Sequence, residues 1–127
     1  MPRANNPQGS APVVRRGDIV RVRFDPVEGS EQGGERPALI LSPDLINERS
    51  PVVLIVPLTS KKTERVYPFE TLIEAGEGGL TQRSKALLLH VRGMDRWRIV
   101  GVYGRIEGET MRRVEEALHI AAGLTVL

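Results

Sequence analysis

The chain has 127 residues, 40% apolar and 27% charged, which suits one globular domain with a real core. The formal charge is only +2 while the pI is near 9.4, so a polyanionic partner is admitted by the charge and not demanded by it. The absence of cysteine excludes disulfides, thiolate metal sites and thiol nucleophiles, and no apolar run approaches the ~20 residues of a membrane span; a cytoplasmic protein with no membrane partner is expected.

Residues 1–14, rich in Pro, Asn, Gln, Gly and Ser, read as a disordered leader, and 15–127 as a single domain. Val20, Val22 and Phe24 alternate with Arg21 and Arg23, the period of a half-buried strand. Asp25-Pro26 ends it, and Val27–Glu35 is a glycine-rich loop. Ala38–Ser42 and Val52–Val56 are nearly continuous apolar runs, as in strands covered on both faces, with room for one helical turn over Pro43–Arg49. Lys61–Val66 reads as a charged, mobile loop, Pro68–Glu74 as a strand and Gly76–Gly79 as a turn. Ala86–Val91 and Ile99–Ile106 are two further strands, the second weakened by Gly101 and Gly104. Met111, Val114, Leu118 and Ala121 then recur at helical steps, and Gly123 is placed to end that helix in a left-handed cap with Leu124 packing back. The sum is a mainly antiparallel, strongly curved or barrel-like sheet of five or six strands, with the helix covering an open side.

The chemistry is bounded first by what is missing. Only His90 and His119 are available, which disfavours a two-histidine acid–base pair, and no residues stand at metal-ligand spacing. No P-loop, dinucleotide fingerprint or nucleophile elbow appears. Two segments remain, Gly29–Pro43 and Pro57-Leu58-Thr59-Ser60, which set Arg36 and Thr59 at strand ends. A site of arginine, hydroxyls and a carboxylate suits cleavage of RNA by its own 2′-hydroxyl, because the substrate supplies the nucleophile. The guanidinium of Arg36 matches phosphate oxygens with its planar fork of donors, and Thr59 and Ser60 can donate to the same oxygens. The bland alternatives are an ion pair of Arg36 with Glu31 or Glu35, and a turn-forming hydroxyl at Thr59. Tyr67 and Trp97 are the candidates for stacking on bases, Trp97 reading more readily as a core or dimer contact.

Taken in order, Gly17-Asp18-Ile19-Val20, Gly29-Ser30-Glu31-Gln32, Arg36-Pro37-Ala38, Pro57-Leu58-Thr59-Ser60, Pro68-Phe69-Glu70, Val91-Arg92, Asp95-Arg96-Trp97-Arg98 and the terminal helix resemble the MazF/PemK family of toxin endoribonucleases. The resemblance runs from about Arg16 to Leu124. It implies a mainly β fold with a C-terminal helix, the SH3-like small barrel of the MazF, CcdB and Kid toxins. It further implies a homodimer that cuts single-stranded RNA at short motifs without metal or cofactor, leaving a 2′,3′-cyclic phosphate and a 5′-hydroxyl. A cognate MazE-like antitoxin peptide would block the groove, and DNA would be reached only through that antitoxin.

By position, Arg36 matches the family's catalytic arginine, Thr59 its catalytic threonine and Glu31 a loop glutamate linked to activity. Gln32, Ser60 and Arg92 are supporting or RNA-binding candidates. Where the family has an acidic residue and glutamine ahead of an arginine, this chain has Leu89-His90-Val91-Arg92. His90 is therefore placed to read a base edge or move a proton, against the alternative of a satisfied histidine on a sheet face. Two other readings share the fold: a gyrase poison that is not an enzyme, disfavoured by the missing terminal tryptophan, and a binding module that has lost cleavage.

Overall fold

The computed structural model describes residues 12–24 and 34–126. Its strands are β1 (Asp18–Arg23), β2 (Glu35–Ile40), β3 (Val52–Thr59), β4 (Glu70–Ile73), β5 (Ser84–Leu87), β6 (Arg92–Asp95) and β7 (Ile99–Arg105). The helices are α1 (Asp44–Arg49) and α2 (Gly108–Ala121), and short 3-10 turns occupy Glu77–Gly79, Leu88–His90 and Arg96–Arg98. Every strand pairing is antiparallel, in the order β4-β5-β3-β2-β1-β7, with β6 also on β3.

Strand β3 organises the sheet. Along one edge it pairs with β2; along the other, Val52–Ile55 pair with β6 and Leu58–Thr59 with β5. The turn at Leu88–His90 carries the chain from one of these partners to the next. This corrects the single strand expected over Ala86–Val91: the chain must leave β5 to reach the other half of β3, and a 3-10 turn makes that corner. β2 starts at Glu35, three residues before the expected run, and β3 continues to Thr59. Paired neighbours on both sides hold these polar ends in strand geometry where apolar content does not announce it.

Alternation along the strands builds a core on each face of the sheet. Ile19, Leu39, Val56 and Leu58 point to one side, where α2 covers them with Met111, Val114 and Ala117. Val20, Val22, Ala38, Ile40, Val53 and Ile55 point to the other, where the curled sheet closes over Met94, Ile99 and Val14. Val14, assigned from sequence to the leader, is thus part of the core. The rest of that segment, residues 1–11, lies outside the described residues.

Among the described residues β4 and β7 do not pair, so the strands do not close into a hydrogen-bonded barrel. Each has other company. Thr71 Oγ1 in β4 donates to the Arg113 carbonyl of α2 at 3.2 Å. The backbone of the Gly78–Gly79 turn lies so close to β7 that a Cβ on Gly79 would stand 2.3 Å from the Tyr103 carbonyl oxygen, and one on Gly104 2.7 Å from the Gly78 carbonyl carbon. Both positions therefore need glycine. Helix α2 ends as expected in a left-handed Gly123 (φ 76°), with Gly123 N–H donating to Ile120 O at 3.1 Å and Leu124 N–H to His119 O at 2.8 Å. Leu124, however, is 72% exposed and does not pack back on the helix.

Candidate active site

The register of β2 on β3 pairs Ala38 with Pro57, Leu39 with Val56 and Ile40 with Ile55. Past the last of these pairs, Arg36 on β2 and Thr59 on β3 remain on one face of the sheet by alternation. Arg36 is itself paired with Val22 of β1, Thr59 with Lys85 of β5, and Lys85 with Leu72 of β4. Residues opposite one another share a face, so Val22 and Arg36 on one side of it and Thr59, Lys85 and Leu72 on the other line the same face. This is the face that carries Ala38, Ile40 and Ile55, turned away from α2. Beyond Ala38 and Ile55 on this face the polar side chains of Arg36, Thr59 and Lys85 follow, beside the apolar Val22 and Leu72. Arg92, opposite Ile55, lies on the same face with its guanidinium 5.9 Å from the centre of the Phe24 ring.

Arg36 is exposed, and its guanidinium has no hydrogen bond or ion pair among the described residues. The Glu35 alternative fails for a geometric reason. Neighbouring residues in a strand face opposite ways, and Glu35 turns to the other side, where it meets Arg21 Nε at 2.8 Å and Arg23 at 3.5 Å. Glu31 and Gln32 lie outside the described residues, with most of the loop Val27–Glu35. Thr59 is half-buried. Its Oγ1 accepts the Lys61 N–H at 3.1 Å, so the turn-forming role expected of such a hydroxyl is present. That bond uses an oxygen lone pair and leaves the O–H free to donate. Ser60 follows, exposed, at the end of the strand.

His90 is on the Leu88–His90 turn and exposed, and among the described residues its ring makes no hydrogen bond. It is therefore not a satisfied histidine on a sheet face; it sits where β3 exchanges one partner for the other. Trp97 is 59% exposed, with the Arg98 guanidinium 4.7 Å from its ring centre, which removes the core reading. Tyr67 is also exposed and stacks on Phe69 with ring centres 5.4 Å apart.

The loop at Lys61–Val66 is tied down more firmly than its composition suggests. Lys85 Nζ donates to the Arg65 carbonyl at 2.7 Å and to Glu70 Oε1 at 2.9 Å, and that same carboxylate oxygen accepts the Tyr67 N–H at 3.1 Å. The Arg65 guanidinium bonds the Tyr67 hydroxyl at 3.3 Å, which raises its pKa further and keeps it a permanent cation. Lys85 was passed over in the sequence, and Glu70 entered only as part of Pro68-Phe69-Glu70. The signal was there: a lone charge inside the apolar strand run Ser84–Leu89 is out of place unless it is paired.

Residues 15–122 match the family model described as PemK-like, MazF-like toxin of type II toxin-antitoxin system. Endoribonuclease EndoA of Bacillus subtilis is 34% identical over 112 residues, covering 88% of this chain and 97% of that protein. Among solved structures, a MazE–MazF crystal structure from Deinococcus radiodurans superposes with a TM-score of 0.74 at 30% identity, over 89% of this chain and 98% of that one. A mycobacterial endoribonuclease solved with its cognate antitoxin shares the fold at a TM-score of 0.72 and 22% identity, over 90% and 99% of the two chains. With a family match that runs nearly end to end and a relative above 30% identity along almost its whole length, the chain belongs to the MazF/PemK family of toxin endoribonucleases of type II toxin–antitoxin systems.

Proposed function

We propose that this toxin cuts single-stranded messenger RNA at a short sequence without a metal ion, acting in the cytoplasm to stop translation. The observation that supports this reading is that Arg36, unpartnered among the described residues, and Thr59, with a hydroxyl free to donate, share one face of neighbouring strands β2 and β3. In the reaction the RNA 2′-hydroxyl loses its proton and attacks the adjacent phosphorus. The bond from phosphorus to the 5′-oxygen breaks, and the departing oxygen takes up a proton. The products are a 2′,3′-cyclic phosphate and a 5′-hydroxyl.

Arg36 holds the non-bridging oxygens, on which negative charge builds, through two parallel N–H donors. Thr59 donates to the same oxygens, with Ser60 beside it. A guanidinium does not give up its proton in a protein, so Arg36 stabilises charge and the protons travel through phosphate oxygens or water. Arg92, His90, Glu31 and Gln32 serve RNA binding around this centre. The working form is a homodimer, and a cognate antitoxin peptide is the regulatory partner, the latter by analogy with relatives solved in complex with theirs.

The test is incubation of the purified protein with a long single-stranded RNA in EDTA, beside Arg36→Ala, with cut sites and end chemistry mapped. Cutting at one short motif with cyclic ends, lost in the variant, is the expected result. Folded, dimeric protein that retains RNA and never cuts it would overturn the reading in favour of a binding module.

A further inference from the structure

Lys85 has no part in the chemistry above, yet it stands directly opposite Thr59 and is only 5% exposed. Its ion pair with Glu70 is buried on both sides, at 6% and 10% side-chain exposure. Replacing a buried ion pair by packed apolar residues is often neutral or stabilising, so stability is a poor reason for a lysine and a glutamate here. What the pair supplies is geometry. The ammonium bridges the Arg65 carbonyl and the Glu70 carboxylate, and the carboxylate also takes the Tyr67 N–H.

At its other end the same connection is held by Thr59 itself, through the Lys61 N–H. The chain between β3 and β4 is thus pinned at its start by a residue of the site and at its end by that residue's cross-strand neighbour. Between the pins stand Lys61, Lys62 and Arg65, all exposed. Lys62 is the one non-glycine residue with positive φ among those described (φ 56°), a conformation that persists where its surroundings hold it.

We propose that the buried Lys85–Glu70 pair is a positioning device: it holds the cationic segment Lys61–Arg65 in one conformation beside Thr59 and so confines RNA cleavage to one short nucleotide sequence. This rests on the endoribonuclease reading and on the site at Arg36 and Thr59. Phosphate contacts fix the register of a nucleic acid on a protein. Such contacts carry no sequence information themselves, so a rigid set of cations next to Thr59 acts by presenting the bases to the groups that read them in one position, where a loosened set presents them in several.

The experiment compares the unmodified protein with the double variant Lys85→Met/Glu70→Leu, which fills the same space without leaving a buried charge unpaired. Cut sites are sequenced on a long RNA, kcat and KM are measured on the preferred motif, and thermal stability is followed. The expected result is a melting temperature close to that of the parent with a broadened set of cut sites. At the preferred motif kcat/KM falls by up to about 10²-fold, the scale of a small misplacement. A merely structural pair would move the melting temperature and leave the cut sites alone.

A folded double variant with the parent's motif and rate overturns the proposal and leaves the endoribonuclease reading standing. Parent protein that cuts RNA with no sequence preference does the same. Parent protein that cuts no RNA overturns both. Hydrogen exchange on the unmodified protein tests the strap itself without any variant: the Tyr67 amide must exchange slowly, and free-amide exchange there overturns the proposal because no strap exists.

Discussion

The two faces of strand β3 and its neighbours follow the same alternation and reach opposite outcomes. Toward α2, Leu39, Val56, Leu58 and Ala86 are buried together with Val114 and Ala117 and leave nothing unsatisfied. One residue away on the same strands, Thr59 and Lys85 stand on the other face, which Arg36 of β2 shares. The helix-side core makes the sheet rigid, and that rigidity holds the exposed Arg36 and the hydroxyl donor of Thr59 where the fold does not consume them, while Lys85 is spent on Arg65 and Glu70. Placing two groups on one face of neighbouring strands needs no loop and costs little stability, which is how a small domain presents a preorganised site.

Substitutions that separate the two sides break or sharpen this comparison. Leu39→Ala, on the core side, has the largest expected effect on the fold, a loss of about 2–5 kcal/mol with a cavity left under α2. Chemical denaturation measures it, and a loss near zero would mean that the two cores are not independently packed.

Arg36→Ala should do the reverse. Cleavage falls by about 10²–10³-fold, as for loss of a single preorganised donor, while stability stays within about 0.5 kcal/mol because the side chain is exposed and unpartnered among the described residues. Arg36→Lys with near-full rate would remove the bidentate role assigned to the guanidinium.

Thr59 comes next. Thr59→Val removes the donor and also the acceptor for Lys61, and a fall of about 10²-fold in kcat is expected, with Thr59→Ser restoring most of it. Equal rates for the serine and valine variants would reduce Thr59 to a turn former.

The smallest effect belongs away from both sides, at Asp44. The Arg16 N–H bond to its carboxylate (2.8 Å) is the main cause holding its pKa below the usual 3.8, with Asn47, Arg105 and Arg15 adding to it against some desolvation. A depressed carboxylate stabilises the fold above its ordinary pKa and loses that contribution as pH falls through the lowered value. Asp44→Asn should therefore melt slightly below the parent at neutral pH, with the gap closing in acid below pH 3.8 and cleavage unchanged throughout. A gap that persists in acid would assign the difference to shape and not to charge.

Much of this architecture was legible in order along the chain. Alternation marked β1, helical spacing marked α2, and Gly123 marked its end. Arg36 and Thr59 were visible as chemistry because a charged fork and a hydroxyl at strand ends stand out from apolar runs. The break between β5 and β6 was not visible, since Leu87, Leu88 and Leu89 carry the same apolar signal through a strand and a turn. Lys85 gave notice of a partner and no way to name it, because Glu70 lies fifteen residues earlier on another strand.

The sequence by itself determined which residues alternate, where turns must fall and which side chains have phosphate chemistry, because these depend on spacing of a few residues and on the groups themselves. Tertiary structure alone decided that Thr59 stands opposite Lys85, that Glu35 turns away to Arg21, and that Lys85 ties down the neighbouring loop. Those facts are set by register, and register is chosen by how all the strands together bury two cores, which no local stretch of chain encodes.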